Sequence, residues 1–147
     1  MPRIEIRPFR PEDQAAVEAL VLDGLVEHWG FLDESKNPDL EDIPAAYANG
    51  TFLVAWMDNE IVGTGATLHR SKTTVEVVRM SVSAQFRRQG VGVMILDELC
   101  NAAIRNGYQK VVLETTKTWQ GVIQFYQQYG FGFSHFEGED AFFELDL

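Results

Sequence analysis

The spacing of apolar and polar positions changes period several times along the 147-residue chain, and each change marks an expected element. Ile4 and Ile6 alternate with Arg3, Glu5 and Arg7, the two-residue period of a short strand that ends at Pro8. Pro11-Glu12-Asp13 suits a helix's first turn: a proline there loses no hydrogen bond, and acids meet the positive end of the helix dipole. Val17, Leu20, Val21 and Leu25 form the apolar stripe of that helix. From Glu27 to Asp42 the periodicity fails among Gly30, Pro38 and a run of acids, so an irregular segment is expected there. It leads into a second short helix near Asp42 to Ala48.

Asn49-Gly50 reads as a turn, followed by strands over Thr51–Trp56 and from Ile61 to about Leu68, joined tightly at Asp58-Asn59. The next strand, Thr74–Val82, is apolar on both faces, with Val75 and Val77 on one and Val78, Met80 and Val82 on the other. Such a strand belongs in the middle of a sheet covered on each side. Strict alternation places Glu76 on the face of Val78, Met80 and Val82. Gly92 to Asn106 is the clearest helix, with Val93, Leu96, Cys100 and Ala103 inward and Asp97, Asn101 and Arg105 outward. A strand follows over Lys110–Glu114, then a helix capped by Thr118 and stopped at Gly130, then a hairpin of Phe131–His135 and Ala141–Leu145 around Gly138. The order of elements predicts an α/β (mixed α+β) fold with helices on both faces of a mixed sheet, as one domain over residues 1–147.

Composition narrows the class. At 46% hydrophobic and 23% charged, with no apolar run near the roughly 20 residues of a membrane helix, the chain is expected to be a globular cytoplasmic protein without membrane association. Its single cysteine, Cys100, can form no intrachain disulfide, and its place on the apolar stripe marks a packed thiol. His28, His69 and His135 lack ligand spacing, so no metal site is expected. A formal charge of −10 argues against nucleic-acid binding and favours a cationic partner.

The chemistry begins where the strand ending at Val82 passes through Ser83-Ala84-Gln85-Phe86 into Arg87-Arg88-Gln89-Gly90-Val91-Gly92 and a helix starts. Helix N-termini leave backbone N–H groups unpaired, and glycines allow a phosphate close to them. Arg87 and Arg88 add cationic donors. Taken alone, the glycine spacing fits equally a strand-to-helix turn with two solvated arginines. A P-loop requires Gly-Lys-Ser/Thr, which is missing, and a dinucleotide fingerprint requires a third glycine where Ile95 stands.

Arg87, Gly90 and Gly92 match the Gln/Arg-x-x-Gly-x-Gly/Ala loop that binds acyl-CoA pyrophosphate in the GNAT superfamily of N-acetyltransferases, which the chain resembles over nearly its whole length. Phe125-Tyr126-Gln127-Gln128-Tyr129-Gly130-Phe131 resembles the family's aromatic-Tyr-x-x-x-Gly-Phe signature, preceded by the strand Val111-Val112-Leu113-Glu114. The two motifs, in order and about thirty-five residues apart, are far more specific together than either alone.

The resemblance implies a GNAT-like, mostly antiparallel sheet of six or seven strands and acetyl-CoA as co-substrate. It implies that residues 87 to 93 (Arg87, Arg88, Gln89, Gly90, Val91, Gly92 and Val93) cradle the pyrophosphate, and that Met80 and Val82 contact the pantetheine arm through their main chains. Tyr126 matches the tyrosine that protonates the departing sulfur; from spacing alone it is equally a packed aromatic between Phe125 and Tyr129. Glu76 stands eleven residues before Arg87, the spacing of the catalytic glutamate in histone-type members, with Glu114 or a water chain as the alternative base. Trp119 departs from the family's common Asn seven residues before the tyrosine, which leaves an indole to pack against the cofactor. Trp29, Phe31, Asp33 and Glu34 fall in the region that lines the family's acceptor side. The expected activity is transfer of acetyl to a small-molecule or protein amine, by an enzyme that could be a homodimer. The alternative is an acyl-CoA sensor without turnover.

Overall fold

The computed structural model describes residues 3–29 and 38–147, with the side chains of residues 25–29 and 38 outside the description. Its strands are β1 (Ile4–Pro8), β2 (Thr51–Met57), β3 (Glu60–His69), β4 (Thr74–Val82), β5 (Lys110–Thr116), β6 (Gly132–Glu137) and β7 (Asp140–Asp146). They form one sheet in the order β1-β2-β3-β4-β5-β7-β6. Only β4 and β5 pair in parallel; the other neighbours are antiparallel. The helices are α1 (Gln14–Trp29), α2 (Ile43–Ala46), α3 (Val91–Arg105) and α4 (Gln120–Tyr129). Asp58 and Asn59 both have positive φ, 50° and 68°, the turn geometry that matches the twist of paired β2 and β3.

The sheet separates two cores. Val17, Val21, Leu40, Ile43, Phe52 and Val54 bury one face beneath α1 and α2. Ala55, Val62, Val75, Val77, Leu113 and Phe143 bury the other against α3 and α4. Helix α3 contributes Val91, Ile95, Leu96, Leu99, Cys100 and Ala103 to that second core. Each large aliphatic buried there contributes about 1.5–3 kcal/mol of transfer free energy, so this helix start is firmly held.

Three local expectations are corrected. Val93 does not face the core: it is 42% exposed, because α3 starts at Val91 and two residues carry the chain about 200° around the axis. Thr118 is not the cap of α4; Trp119 occupies the N-cap without a capping side-chain bond, and β5 continues to Thr116 because β7 pairs with it to that point. Most consequential, β4 does not alternate regularly. Thr64 pairs with Ser81 but Ala66 with Val78, so Arg79 and Met80 together stand opposite Gly65. This bulge flips the strand: Met80 and Val82 join Val75 and Val77 on the α3 face, while Glu76 and Val78 lie on the α2 face. Arg79 accordingly has a φ of 56°, and Thr64 Oγ1 donates to its carbonyl at 2.8 Å.

Candidate active site

Strands β4 and β5 pair at Thr74–Lys110, Val75–Val111 and Glu76–Val112, and no further. Beyond that point β5 gives its hydrogen bonds to β7 and β4 gives its own to β3, so the two strands part and leave a fork. The open end of the fork leads from Val82 through a short 3-10 turn, Ala84–Phe86, into the arginine-glycine loop.

The loop has the conformation of an anion cradle. Gly90 is the N-cap of α3 with φ 84°, and Arg88 has φ 64°, so the backbone twice enters the left-handed region where glycine is favoured. Met94 is the first residue of α3 to donate back, to the Gly90 carbonyl at 3.1 Å, which leaves the N–H groups of Val91, Gly92 and Val93 at the helix mouth. The Arg87 Nε donates to the Val82 carbonyl at 3.3 Å, and Gln89 Nε2 donates to the Gln85 carbonyl at 3.4 Å. Arg87 thus ties the loop to the end of β4, and Gln89 ties it to the 3-10 turn between them. Gly92 is needed for a different reason: a Cβ there would lie 3.0 Å from the Phe125 ring. These unpaired donors, two exposed guanidinium side chains and the dipole of a helix of fifteen residues suit a pyrophosphate.

Tyr126 lies on the α3/α4 side of the fork, with its ring edge-on to Phe125 and Phe131 at centroid distances of 5.2 and 5.7 Å. Burial pushes its phenol above the ordinary tyrosine range, so it is protonated throughout neutral pH. Among the described residues its hydroxyl has no hydrogen-bond partner, yet no fully buried side-chain oxygen is left unsatisfied, so the hydroxyl reaches open space. Tyr129, one turn on, is engaged instead: its hydroxyl donates to Asp97 Oδ1 at 2.7 Å.

On the opposite face, at the root of the fork, lies a cavity of about 470 Å³ lined by Asp39, Tyr47, Leu68, Glu76, Arg79 and Glu114 among others. Glu76 is held by Arg70, whose Nε donates to Oε1 with Nη2 against the same oxygen. Glu114, from β5, has its carboxyl raised by burial and then by the charges of Glu76 and Asp140. The far wall is a cluster that the sequence did not disclose. Arg79 Nε and Nη2 donate to the two carboxylate oxygens of Asp39 at 2.9 and 2.6 Å, and the Tyr47 hydroxyl donates to Asp39 Oδ2 at 2.6 Å. Burial works to raise the Asp39 carboxyl, but the Arg79 and Tyr47 bonds and the Arg79 charge outweigh it and hold it below the usual carboxylate range. Gly65 in the interior of β3 was the only sequence signal for the bulge that aims Arg79 there. A separate groove of about 550 Å³ lies beside Pro8, Phe52 and Arg105, and none of the residues assigned by motif lines it.

Glu76 and Tyr126 are thus on opposite faces of the sheet, with the fork between them, and Met80 and Val82 form one of its edges. Trp119 caps α4. Phe31, Asp33 and Glu34 lie outside the described residues, as does the side chain of Trp29. Among the described residues no cluster of metal-ligating side chains occurs, and no helix is long and apolar enough to cross a membrane.

The stretch from α1 to the end of α4 matches a known family. The family model for the Acetyltransferase (GNAT) family matches residues 15–131. The chain belongs to the GNAT acetyltransferase family. Among relatives, rat (Rattus norvegicus) N-acetyltransferase 8F1 is 35% identical over 100 residues, covering 63% of this chain and 45% of that protein. N-acetylaspartate synthetase of Danio rerio is 34% identical over 105 residues, covering 69% of this chain and 37% of its own. The chain therefore spans less than half the length of these curated relatives. Among solved structures, a GNAT-family acetyltransferase of Staphylococcus aureus Mu50 superposes with a TM-score of 0.90 at 20% identity, covering 99% of both chains. The PaiA N-acetyltransferase of Thermoplasma acidophilum, solved in complex with coenzyme A, superposes with a TM-score of 0.85 at 17% identity, again over 99% of both. The GNAT fold, a seven-stranded mostly antiparallel sheet between helices, is thereby shared along the chain.

Proposed function

We propose that this GNAT protein is an acetyl-CoA-dependent N-acetyltransferase that moves the acetyl group directly onto a primary amine. The observation that carries the reading is the end of β4–β5 pairing at Glu76–Val112, which opens a passage between a carboxylate on one face and a tyrosine on the other. Solved neighbours that hold coenzyme A or acetyl-CoA support the choice of co-substrate.

The chemistry follows from the residues around the passage. Residues 87 to 93 hold the pyrophosphate, and main-chain groups of Met80 and Val82 align the pantetheine arm and polarise the thioester carbonyl as charge develops on its oxygen. The ammonium first gives one proton to Glu76, directly or through water; the neutral nitrogen then attacks the carbonyl carbon, and its second proton leaves to solvent as the tetrahedral adduct collapses. The carbon–sulfur bond breaks, and the Tyr126 phenol gives its proton to the leaving sulfur. Both groups then return to their starting states through solvent. An amine of pKa about 10 needs such a base, and a thiolate of pKa about 8.5 gains from such an acid. Trp119, at the start of α4, packs beside the cofactor in place of the family's asparagine.

Glu76 and Glu114, which both line the cavity, favour an acceptor that arrives as an ammonium. One group of relatives is named for N-acetylaspartate, so acceptors with their own carboxylate belong beside polyamines, aminoglycosides and peptide N-termini in a screen. The test is release of coenzyme A thiol in the presence of each amine. Acetylated product on at least one amine class supports transfer; tight acetyl-CoA binding without product on every class would make the protein a sensor.

A further inference from the structure

Arg70 is an exposed arginine outside both motifs, and its contacts give it a specific task. It stands just past the end of β3, where its N–H donates to the Thr74 carbonyl at 3.0 Å and the next residue, Ser71, donates to the same carbonyl at 3.1 Å. The far side of this turn is tied down as well: the Thr73 carbonyl accepts from Gln109 and Lys110 at 2.8 and 3.0 Å, at the entry to β5. The backbone beneath Arg70 is therefore braced between β4 and β5 at the root of the fork. Leu68 is the cross-strand partner of Glu76, and Arg70, two residues on, is its diagonal neighbour on the same face.

From this footing the guanidinium engages only one oxygen of Glu76. Nε donates to Oε1 and Nη2 lies against the same atom, while the Glu76 side chain is 14% exposed and lines the cavity. Oε2 is left for a partner in the cavity. The other charged or titratable groups facing this carboxylate are Glu114 from β5 and, across the cavity, the Arg79–Asp39 pair with Tyr47. Arg79 turns its Nε and Nη2 to the two oxygens of Asp39, and among the described residues the bond to Glu76 comes from Arg70 and not from Arg79. Without Arg70, Glu76 and Glu114 would face each other with no cation between them.

We infer that Arg70 is a positioning residue, which fixes the Glu76 carboxylate with Oε2 presented to the acceptor amine. The inference rests on the assignment of Glu76 as the base. A planar guanidinium suits the task because two donors on one oxygen determine the rotamer of the carboxylate, which a mobile ammonium does less well.

The test is a mutant cycle on the full chain with an acceptor found by the amine screen, using Arg70→Met, Arg70→Lys, Glu76→Gln and the Arg70→Met/Glu76→Gln double variant. Arg70→Met is expected to lower kcat about tenfold with the KM for acetyl-CoA unchanged, and Arg70→Lys to recover part of the loss. In the Glu76→Gln background Arg70→Met should have no further effect on kcat, since a residue that acts through another adds nothing once the other is gone. Wild-type kcat in Arg70→Met, or an equal fractional loss in both backgrounds, would overturn the inference while leaving Glu76 as base. Wild-type kcat in Glu76→Gln would overturn the base assignment itself.

Discussion

A methyl group on Gly92 would lie 3.0 Å from Cζ of Phe125 and 3.4 Å from its Cε1. The two sequence motifs are therefore in contact: the first turn of α3, which presents the loop's free N–H groups, rests on the ring that precedes Tyr126. Cofactor cradle and proposed acid are fixed relative to one another by this packing.

Substitution at this contact should damage cofactor binding before it damages the fold. Gly92→Ala forces the helix start and the Phe125 ring apart by a few tenths of an ångström, and acetyl-CoA affinity measured by calorimetry should fall about tenfold. Adding Phe125→Leu should restore part of it. Gly90→Ala should also weaken binding, by imposing about 1 kcal/mol or more of left-handed strain at a position with open space around it. Unchanged affinity in both glycine variants would detach the loop from the cofactor.

Tyr126→Phe separates chemistry from structure. Its hydroxyl has no partner among the described residues, so Tyr126→Phe removes no hydrogen bond within the protein and should melt within about a degree or two of wild type. Thiol release should nonetheless slow by about 10²-fold while acetyl-CoA affinity holds. A variant that transfers acetyl at the wild-type rate would return Tyr126 to the role of a packed aromatic.

The Asp39–Arg79 pair makes a prediction in pH. The Asp39 carboxyl titrates below its unfolded value, so its contribution to stability is present above that value and disappears as pH falls through the lower, folded one. Asp39→Asn should therefore cost about 1–3 kcal/mol at pH 7 and progressively less on acidification, because wild type loses the same interaction there. Thermal denaturation of both proteins between neutral and acidic pH reads this directly; a constant difference in melting temperature contradicts it.

Glu114 should behave in the opposite sense. Its carboxyl is raised by burial and by Glu76, so the folded state favours the protonated form, and the associated stability is present at low pH and lost as pH rises through the folded value. Glu114→Gln should raise the melting temperature at pH 7 and leave it unchanged well below the carboxylate range. The same variant should raise the KM of a cationic acceptor more than it changes kcat. A melting temperature lowered at pH 7 would contradict the account.

Much of the frame was legible beforehand because it rests on local rules. Periodicity located the strands and helices, Gly130 marked the end of a helix, and Asp58-Asn59 marked a turn that requires positive φ. Spacing between motifs identified the family. What escaped were features made by contact between distant segments. Regular alternation put Glu76 beside Met80 and Val82, but the bulge opposite Gly65 places them on opposite faces. Nothing in the spacing singled out Arg79, and Asp39 lay within the run of acids before Asp42, yet forty residues apart they close bidentately on each other. Arg70 lay in a turn without any motif, and only the register of β3 on β4 brings it to Glu76.

The central claim, that the fork between β4 and β5 is a passage for acetyl transfer from acetyl-CoA to an amine, is tested most directly by mass spectrometry of an amine panel incubated with the protein and isotopically labelled acetyl-CoA. The account predicts labelled N-acetyl product on at least one class of amine, matched mole for mole by free coenzyme A and strongly reduced by Tyr126→Phe. Saturable acetyl-CoA binding with no labelled product on any class would contradict it.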